Sequence, residues 1–156
     1  MPVERVCYSA DGWGVGELWF GDGVLVWHEL PRAAARAQPA KARGGHPLAE
    51  RMAAYFSGRR DDFADVPLDL GWCTPFQRAV AEELRRVPYG ETVTYGELAA
   101  LAGHPNAQRA AGTFCARNRT PVVLPCHRVV AAAGLGSYGS LGVGYKRRLL
   151  ELEDAL

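Results

Sequence analysis

Apolar and polar positions alternate over three short stretches near the start of the chain, Val3–Tyr8, Val15–Phe20 and Val24–Leu30. A period of two, with Val, Trp, Tyr and Phe prominent, is the pattern of half-buried strands. Asp11-Gly12 and Gly21-Asp22-Gly23 mark the turns, so a small antiparallel sheet is predicted. Residues 31–46 are rich in Pro, Gly, Ala and Arg and read as a surface loop. Over residues 48–57 the apolar period lengthens to that of a helix, which Gly58 stops. Asp65–Leu70 is expected to add an edge strand.

From Thr74 onward the pattern is mainly helical. Thr74 suits an N-cap and Pro75 a first helical turn. Phe76, Val80, Leu84 and Val87 form one apolar stripe that ends at Pro88-Tyr89-Gly90. Thr94, with Glu97 three residues on, is a capping box for a short helix over Tyr95–Leu101. Gly103-His104-Pro105 ends it, and a second short helix is predicted from Asn106 to Cys115. The pair reads as a helix-turn-helix. Val122–Leu124 is expected to be a buried strand, residues 131–144 a Gly-rich loop and Tyr145–Leu156 a final helix. The class is therefore α/β (α+β), with an N-terminal lobe at 1–70 and a mainly helical C-terminal domain at 71–156.

Composition narrows the class of protein. With 48% hydrophobic and 22% charged residues, the chain is neither disordered, collagen-like nor a coiled coil. Its apolar runs are too short to span a bilayer, and its first residues lack a basic region followed by an apolar core. The expectation is a soluble, cytoplasmic protein with no membrane partner. The four cysteines, Cys7, Cys73, Cys115 and Cys126, are widely spaced and form no C-x-x-C pair. Zinc ribbons and disulfide scaffolds need closer spacing, so free thiols and no metal are expected.

Net charge is only +1, but its distribution is uneven. Residues 1–91 carry 11 basic and 13 acidic groups, whereas residues 92–150 carry seven basic groups and one acid, Glu97. The C-terminal half is thus either a solvated basic face or a surface for an anion, nucleic acid first. The second short helix bears on that choice. Ala107, Ala110, Ala111 and Gly112 are small, and Arg109 stands among them. Such a helix packs tightly inside a domain or enters a DNA groove with Arg109 projecting; the surrounding charge favours the groove.

The strongest chemical signal is Leu124-Pro125-Cys126-His127-Arg128-Val129. It sets a thiol beside an imidazole and a guanidinium. The thiolate is the reactive form, and a nearby base or positive charge promotes it. Strand neighbours point to opposite faces, so the chain must bend here, which Pro125 allows. His127 is then placed to take the thiol proton, directly or through a water. Glu153 is the candidate acid that orients the imidazole.

These residues belong to a wider set. Thr74-Pro75-Phe76-Gln77, Val87-Pro88-Tyr89-Gly90-Glu91-Thr92, Thr94-Tyr95-Gly96-Glu97-Leu98-Ala99, Arg109-Ala110, Asn118, Pro125 to Val129 and Leu149 to Glu153 resemble, in order and near spacing, the O6-alkylguanine-DNA alkyltransferases. The resemblance covers about half the chain, residues 74–153. It implies a ribonuclease H-like N-terminal lobe packed on the helix-turn-helix domain. It further implies repair of O6-alkylguanine in double-stranded DNA by a self-inactivating protein, a monomer that needs no cofactor. Members of this family bind in the minor groove and flip the damaged base out.

Residue by residue, Cys126 is similar to the nucleophile, His127 to a base acting through water, Glu153 to the acid behind it and Asn118 to the brace of the cysteine turn. Arg109 is similar to the arginine that fills the gap in the base stack. The DNA-facing set implied is Thr94, Tyr95, Arg109, Ala110, Arg117, Arg119 and Arg128. Tyr95, Val129, Tyr138, Gly139 and Ser140 are similar to the guanine pocket. The chain departs from the pattern at Arg117, where glycine is common, at Arg119, where proline is common, and in a loop offset around Tyr138. Cys7 and His28 do not complete the zinc set of some members, and Cys7, Cys73 and Cys115 are expected to be packing residues. Two other readings fit part of the pattern. A non-catalytic lesion-binding protein would lack the cysteine, and a cysteine hydrolase would not need the helix-turn-helix.

Overall fold

The structure is a computed structural model that describes residues 3–33 and 46–156. The chain forms two compact units, Met1–Asp69 and Leu70–Leu156. Most of the predicted loop at 31–46 lies outside the described residues.

In the first unit β1 (Val3–Ala10), β2 (Gly14–Gly21) and β3 (Val24–Arg32) form an antiparallel sheet in the order β1-β2-β3. Asp22 and Gly23 both take positive φ, 54° and 77°, as a two-residue hairpin turn requires. Tyr8 and Gly16 are directly opposed, and the Tyr8 ring occupies the space a side chain at Gly16 would need. That ring hydroxyl hydrogen-bonds His28 Nε2 at 2.6 Å. Helix α1 (Pro47–Phe56) packs on β1 and buries Met52, Tyr55 and Phe56. It ends in a Schellman motif, with Arg59 N–H bonded to the Ala54 carbonyl at 2.9 Å across Gly58 at φ 109°. Asp65–Leu70 is not an edge strand. Backbone bonds from Leu25 N–H to Pro67 and from Asp69 N–H to Leu25 pair this segment with β3 only around Leu68.

The second unit contains α2 (Pro75–Leu84), β4 (Val93–Thr94), α3 (Tyr95–Leu101), α4 (Gln108–Ala116), β5 (Val129–Val130) and α5 (Val143–Leu152). Both predicted caps form. Thr74 and Gln77, and Thr94 and Glu97, make reciprocal capping boxes. Gly103, at φ 89°, ends α3 in a second Schellman motif. Asn106 takes φ 73°, outside the helical range, so α4 begins at Gln108 rather than at Asn106.

Val122–Leu124 is buried, as expected, but it is a turn rather than a strand. Leu124 N–H bonds the Thr120 carbonyl at 2.9 Å, and Val122 takes φ 76°, costly for a β-branched residue. The last helix stops at Leu152, with Asp154 in the left-handed region at φ 62°; Glu153 is its C-cap.

Candidate active site and nucleic-acid interface

The bend before Cys126 is an inverse γ-turn. Pro125 takes φ −82° and ψ 64°, and Cys126 N–H bonds the Leu124 carbonyl at 2.8 Å. One 3-10 turn follows over Cys126–Arg128. Asn118 holds this corner from outside the turn. Its Nδ2 donates to the Leu124 carbonyl at 2.7 Å, and its Oδ1 accepts from Thr120 N–H at 2.9 Å. Asn118 also favours the Cys126 thiolate, drawing its pKa down.

Glu153 is the hub of a buried network. One carboxylate oxygen accepts from His127 Nε2 at 2.7 Å and from an Arg128 terminal nitrogen at 2.9 Å. The other accepts from Arg128 Nε at 2.8 Å and from Gly90 N–H at 3.3 Å. Arg128 also donates to the Val87 carbonyl at 2.9 Å. Burial would raise the Glu153 pKa, but the hydrogen bonds from His127 and Arg128 prevail and hold it well below the usual carboxylate range. Burial pushes the His127 pKa down against the pull of Glu153. The imidazole is therefore neutral at pH 7. Because an ionised carboxylate only accepts, the proton sits on Nε2, and Nδ1 keeps its lone pair. That Nδ1 is buried and has no hydrogen-bond partner among the described residues. Burial and the adjacent Cys115 thiol raise the Cys126 pKa well above its ordinary value, while Asn118 and Lys146 pull it back. The thiol thus needs a base to react at neutral pH.

Across from this network, Lys146 is fully buried. Its Nζ donates to the Tyr95 hydroxyl at 3.3 Å and to the Ser137 carbonyl at 3.2 Å. Burial, with the charges of Cys115 and Cys126 when they ionise, raises the Tyr95 pKa to about 12. Tyr95 lies beside Gly112 of α4 and Gly136 of the Gly-rich loop, where added side-chain carbons would touch it. The Tyr138 hydroxyl is buried and has no hydrogen-bond partner among the described residues.

On the outer surface of the same unit, α3 and α4 pack as the predicted helix-turn-helix. Gln108, Arg109 and Ala110 are exposed at the start of α4, which has no side-chain cap, so its first backbone N–H groups face outward. A groove of about 570 Å³, lined in part by Thr74, Gln77, Asn106 and Arg109, runs beside it. It does not contain Cys126.

A family model described as 6-O-methylguanine DNA methyltransferase, DNA binding domain, matches residues 75–155. The chain belongs to the O6-methylguanine DNA methyltransferase family. A methylated-DNA–protein-cysteine methyltransferase of Methanopyrus kandleri is 47% identical over 112 residues, 71% of this chain and 82% of the relative. The crystal structure of Mycobacterium tuberculosis O6-methylguanine methyltransferase matches with a TM-score of 0.80 and 32% identity, covering 99% of this chain and 94% of that one. A Mycobacterium tuberculosis OGT in complex with DNA matches with a TM-score of 0.77 and 36% identity, covering 97% of this chain and 92% of that one. The α/β class is that of these methyltransferase structures.

Within this methyltransferase fold the structure brings Cys126, His127, Glu153 and Asn118 together. Tyr95, hydrogen-bonded to Lys146, lies within electrostatic reach of Cys126. Val129 is fully buried in β5, opposite Val93 of β4. Gly139 and Ser140 are exposed, and the Tyr138 ring stacks on Tyr145 at 6.4 Å. Thr94 spends its hydroxyl oxygen on the α3 cap. Arg109, Ala110, Arg117 and Arg119 are exposed, but Arg128 is not available to DNA. It is 2% exposed, and its guanidinium is committed to Glu153 and Val87. The expectation that Arg128 contacts DNA is therefore withdrawn. The reason is the buried carboxylate, which requires a cation.

Two residues of the site escaped the sequence reading, Lys146 and Cys115. Lys146 carried a signal. It shares one helical face with Leu149 and Leu150, at spacings of three and four, where a lysine is out of place unless it has partners. Cys115 carried none, since its nearness to Cys126 arises only from packing.

Proposed function

We propose that this chain repairs duplex DNA by transferring the alkyl group of O6-alkylguanine irreversibly to the sulfur of its own Cys126. DNA as partner and alkyl transfer as chemistry follow from membership of the family. The buried Glu153–His127 relay, with Cys126 beside His127 in the same 3-10 turn, supports the assignment of the residues.

His127 Nδ1 takes the Cys126 proton, directly or through a water. Glu153, already ionised and hydrogen-bonded to Nε2, stabilises the imidazolium that results. The Lys146 ammonium favours the thiolate. The thiolate attacks the alkyl carbon, a C–S bond forms and the C–O6 bond breaks. The electron pair goes to O6, and the guanine anion takes up the proton that the imidazolium gives back, directly or through water. No step breaks the thioether, so each molecule acts once. No cofactor or metal enters the reaction.

The target O6 is unreachable inside the base stack, so the base must be extruded. Arg109 and the small residues of α4 are the groups we assign to the groove, with Tyr95 and the buried Tyr138 hydroxyl facing the extruded base. Arg117 and Arg119 are assigned to phosphates. The protein acts as a cytoplasmic monomer.

The test is intact-protein and peptide mass spectrometry after mixing with a duplex that contains O6-methylguanine. One methyl group on the peptide holding Cys126, saturating at one per protein, is expected. Cys126→Ala should take up none and still bind the duplex. Methyl uptake by Cys126→Ala, or no adduct on the parent chain while DNA binding persists, overturns the assignment.

A further inference from the structure

Trp72 is the first large side chain of the second unit, and neither the relay nor the helix-turn-helix uses it. Its ring stacks on Phe114 of α4, with centroids 5.8 Å apart and planes 15° from parallel. Phe114 is 1% exposed, so this shelf is anchored to the core side of α4. The guanidinium carbon of Arg119 lies over the Trp72 ring, 4.3 Å from its centroid.

The backbone around Arg119 explains why it can be there. Asn118 turns inward to the Leu124 carbonyl and to Thr120, so its neighbours Arg117 and Arg119 turn outward and are exposed. Neither has a carboxylate partner among the described residues. Arg119 is thus an unneutralised cation, and an aromatic face holds it rather than an acid. This distinction matters for binding. A carboxylate would occupy the N–H fork and cancel its charge. A ring beneath the guanidinium takes neither, because the donors point outward in the guanidinium plane. The fork stays available for a bidentate contact with a phosphate, and part of its rotamer freedom is already gone before DNA arrives.

We propose that Trp72 is a positioning residue for DNA binding, holding Arg119 as a preorganised phosphate clamp beside the turn that carries Cys126. The proposal rests on the reading that this chain acts on duplex DNA. It assigns to Arg119, an oddity of this sequence, a support 47 positions away that only folding supplies.

A double-mutant cycle on the whole chain tests it. The proteins are the parent, Trp72→Ala, Arg119→Gln and the double variant, with Trp72→Phe as the conservative control. The readouts are the dissociation constant for a short undamaged duplex at several salt concentrations and the unfolding midpoint of each protein. Each single variant should weaken binding about two- to fivefold. The double variant should bind no more weakly than Arg119→Gln, and Trp72→Phe should retain most of the parental affinity. Arg119→Gln should also reduce the slope of log K against log salt by about 0.9, one phosphate contact. Additive losses, or an unchanged salt slope in Arg119→Gln, overturn the proposal. Where Trp72→Ala lowers the unfolding midpoint, Trp72→Phe and Arg119→Gln carry the decision. Methyl uptake by the parent is scored separately. Uptake without coupling sinks this inference alone, and coupling without uptake sinks the transfer reading alone.

Discussion

Glu153 shows how one side chain sets the protonation of a whole site. It is 1% exposed and yet ionised, because His127, Arg128 and Gly90 all donate to it. The linkage to pH has a definite sign. His127 and Glu153 both have folded-state pKa values below their ordinary values of 6.5 and 4.5. In each case the unfolded chain binds the proton first as pH falls. On the acid side stability should therefore begin to fall below about pH 6.5 as His127 enters its window, and fall further below about pH 4.5 as Glu153 does. Glu153→Gln leaves the buried Arg128 cation without its carboxylate, which should cost about 3–5 kcal/mol and shrink the second, more acidic phase. Urea unfolding as a function of pH checks both. An acid profile unchanged in Glu153→Gln would show that the carboxylate is not the group that titrates.

At the scale of elements, short irregular pieces do the positioning, and the helices serve as their mounts. An inverse γ-turn at Pro125 aims Cys126. The C-cap of α5 delivers Glu153, and a capping box starts α3 at the site residue Tyr95. The Gly-rich loop closes over that tyrosine. Gly136 sits there at φ 81°, and a side-chain carbon added to it would lie 3.2 Å from the Tyr95 ring and hydroxyl. Alanine at this position meets both a backbone conformation it disfavours and a ring it must displace. Gly136→Ala should destabilise the protein by about 1 kcal/mol or more. It should also slow alkyl transfer, since the Lys146–Tyr95 contact would have to move. Thermal unfolding and single-turnover rates on the damaged duplex measure the two effects. A full transfer rate in a folded Gly136→Ala protein would mean that the loop tolerates a shifted Tyr95.

At the scale of the whole molecule the division of charge has a functional sense. The basic groups of residues 92–150 fall in the unit that carries both the helix-turn-helix and the proposed nucleophile, Cys126. In the proposed mechanism binding and chemistry therefore share one unit, and the chemistry can be separated from the binding by the choice of substrate. A free alkylated base needs no extrusion, whereas a base in a duplex does. Arg109→Ala should lose more of its rate on O6-methylguanine in duplex DNA than on free O6-benzylguanine. The ratio of the two single-turnover rates is the measurement, and equal losses would remove Arg109 from the extrusion step. The parent should also lose duplex affinity steeply as salt rises, because phosphate contacts release counterions.

Features encoded locally, or in a fixed order along the chain, are legible in the residues alone. The three strands, the Thr74 N-cap, the Thr94–Glu97 capping box, the helix-turn-helix and the Pro125-Cys126-His127 corner rest on periodicity, turn chemistry and short-range hydrogen bonds, and all are present. Tertiary structure decided everything that depends on distant residues sharing one buried space. Val122–Leu124 has a strand composition, yet bonds to Thr120 and Asn118 draw it into a turn. Arg128 is a basic residue in a basic region, yet a buried carboxylate 25 positions away claims it. Lys146 is in reach of Tyr95 across 51 positions, and Arg119 is held by Trp72 across 47. A buried charge must find its partner wherever the chain happens to return, and no local pattern records where that will be.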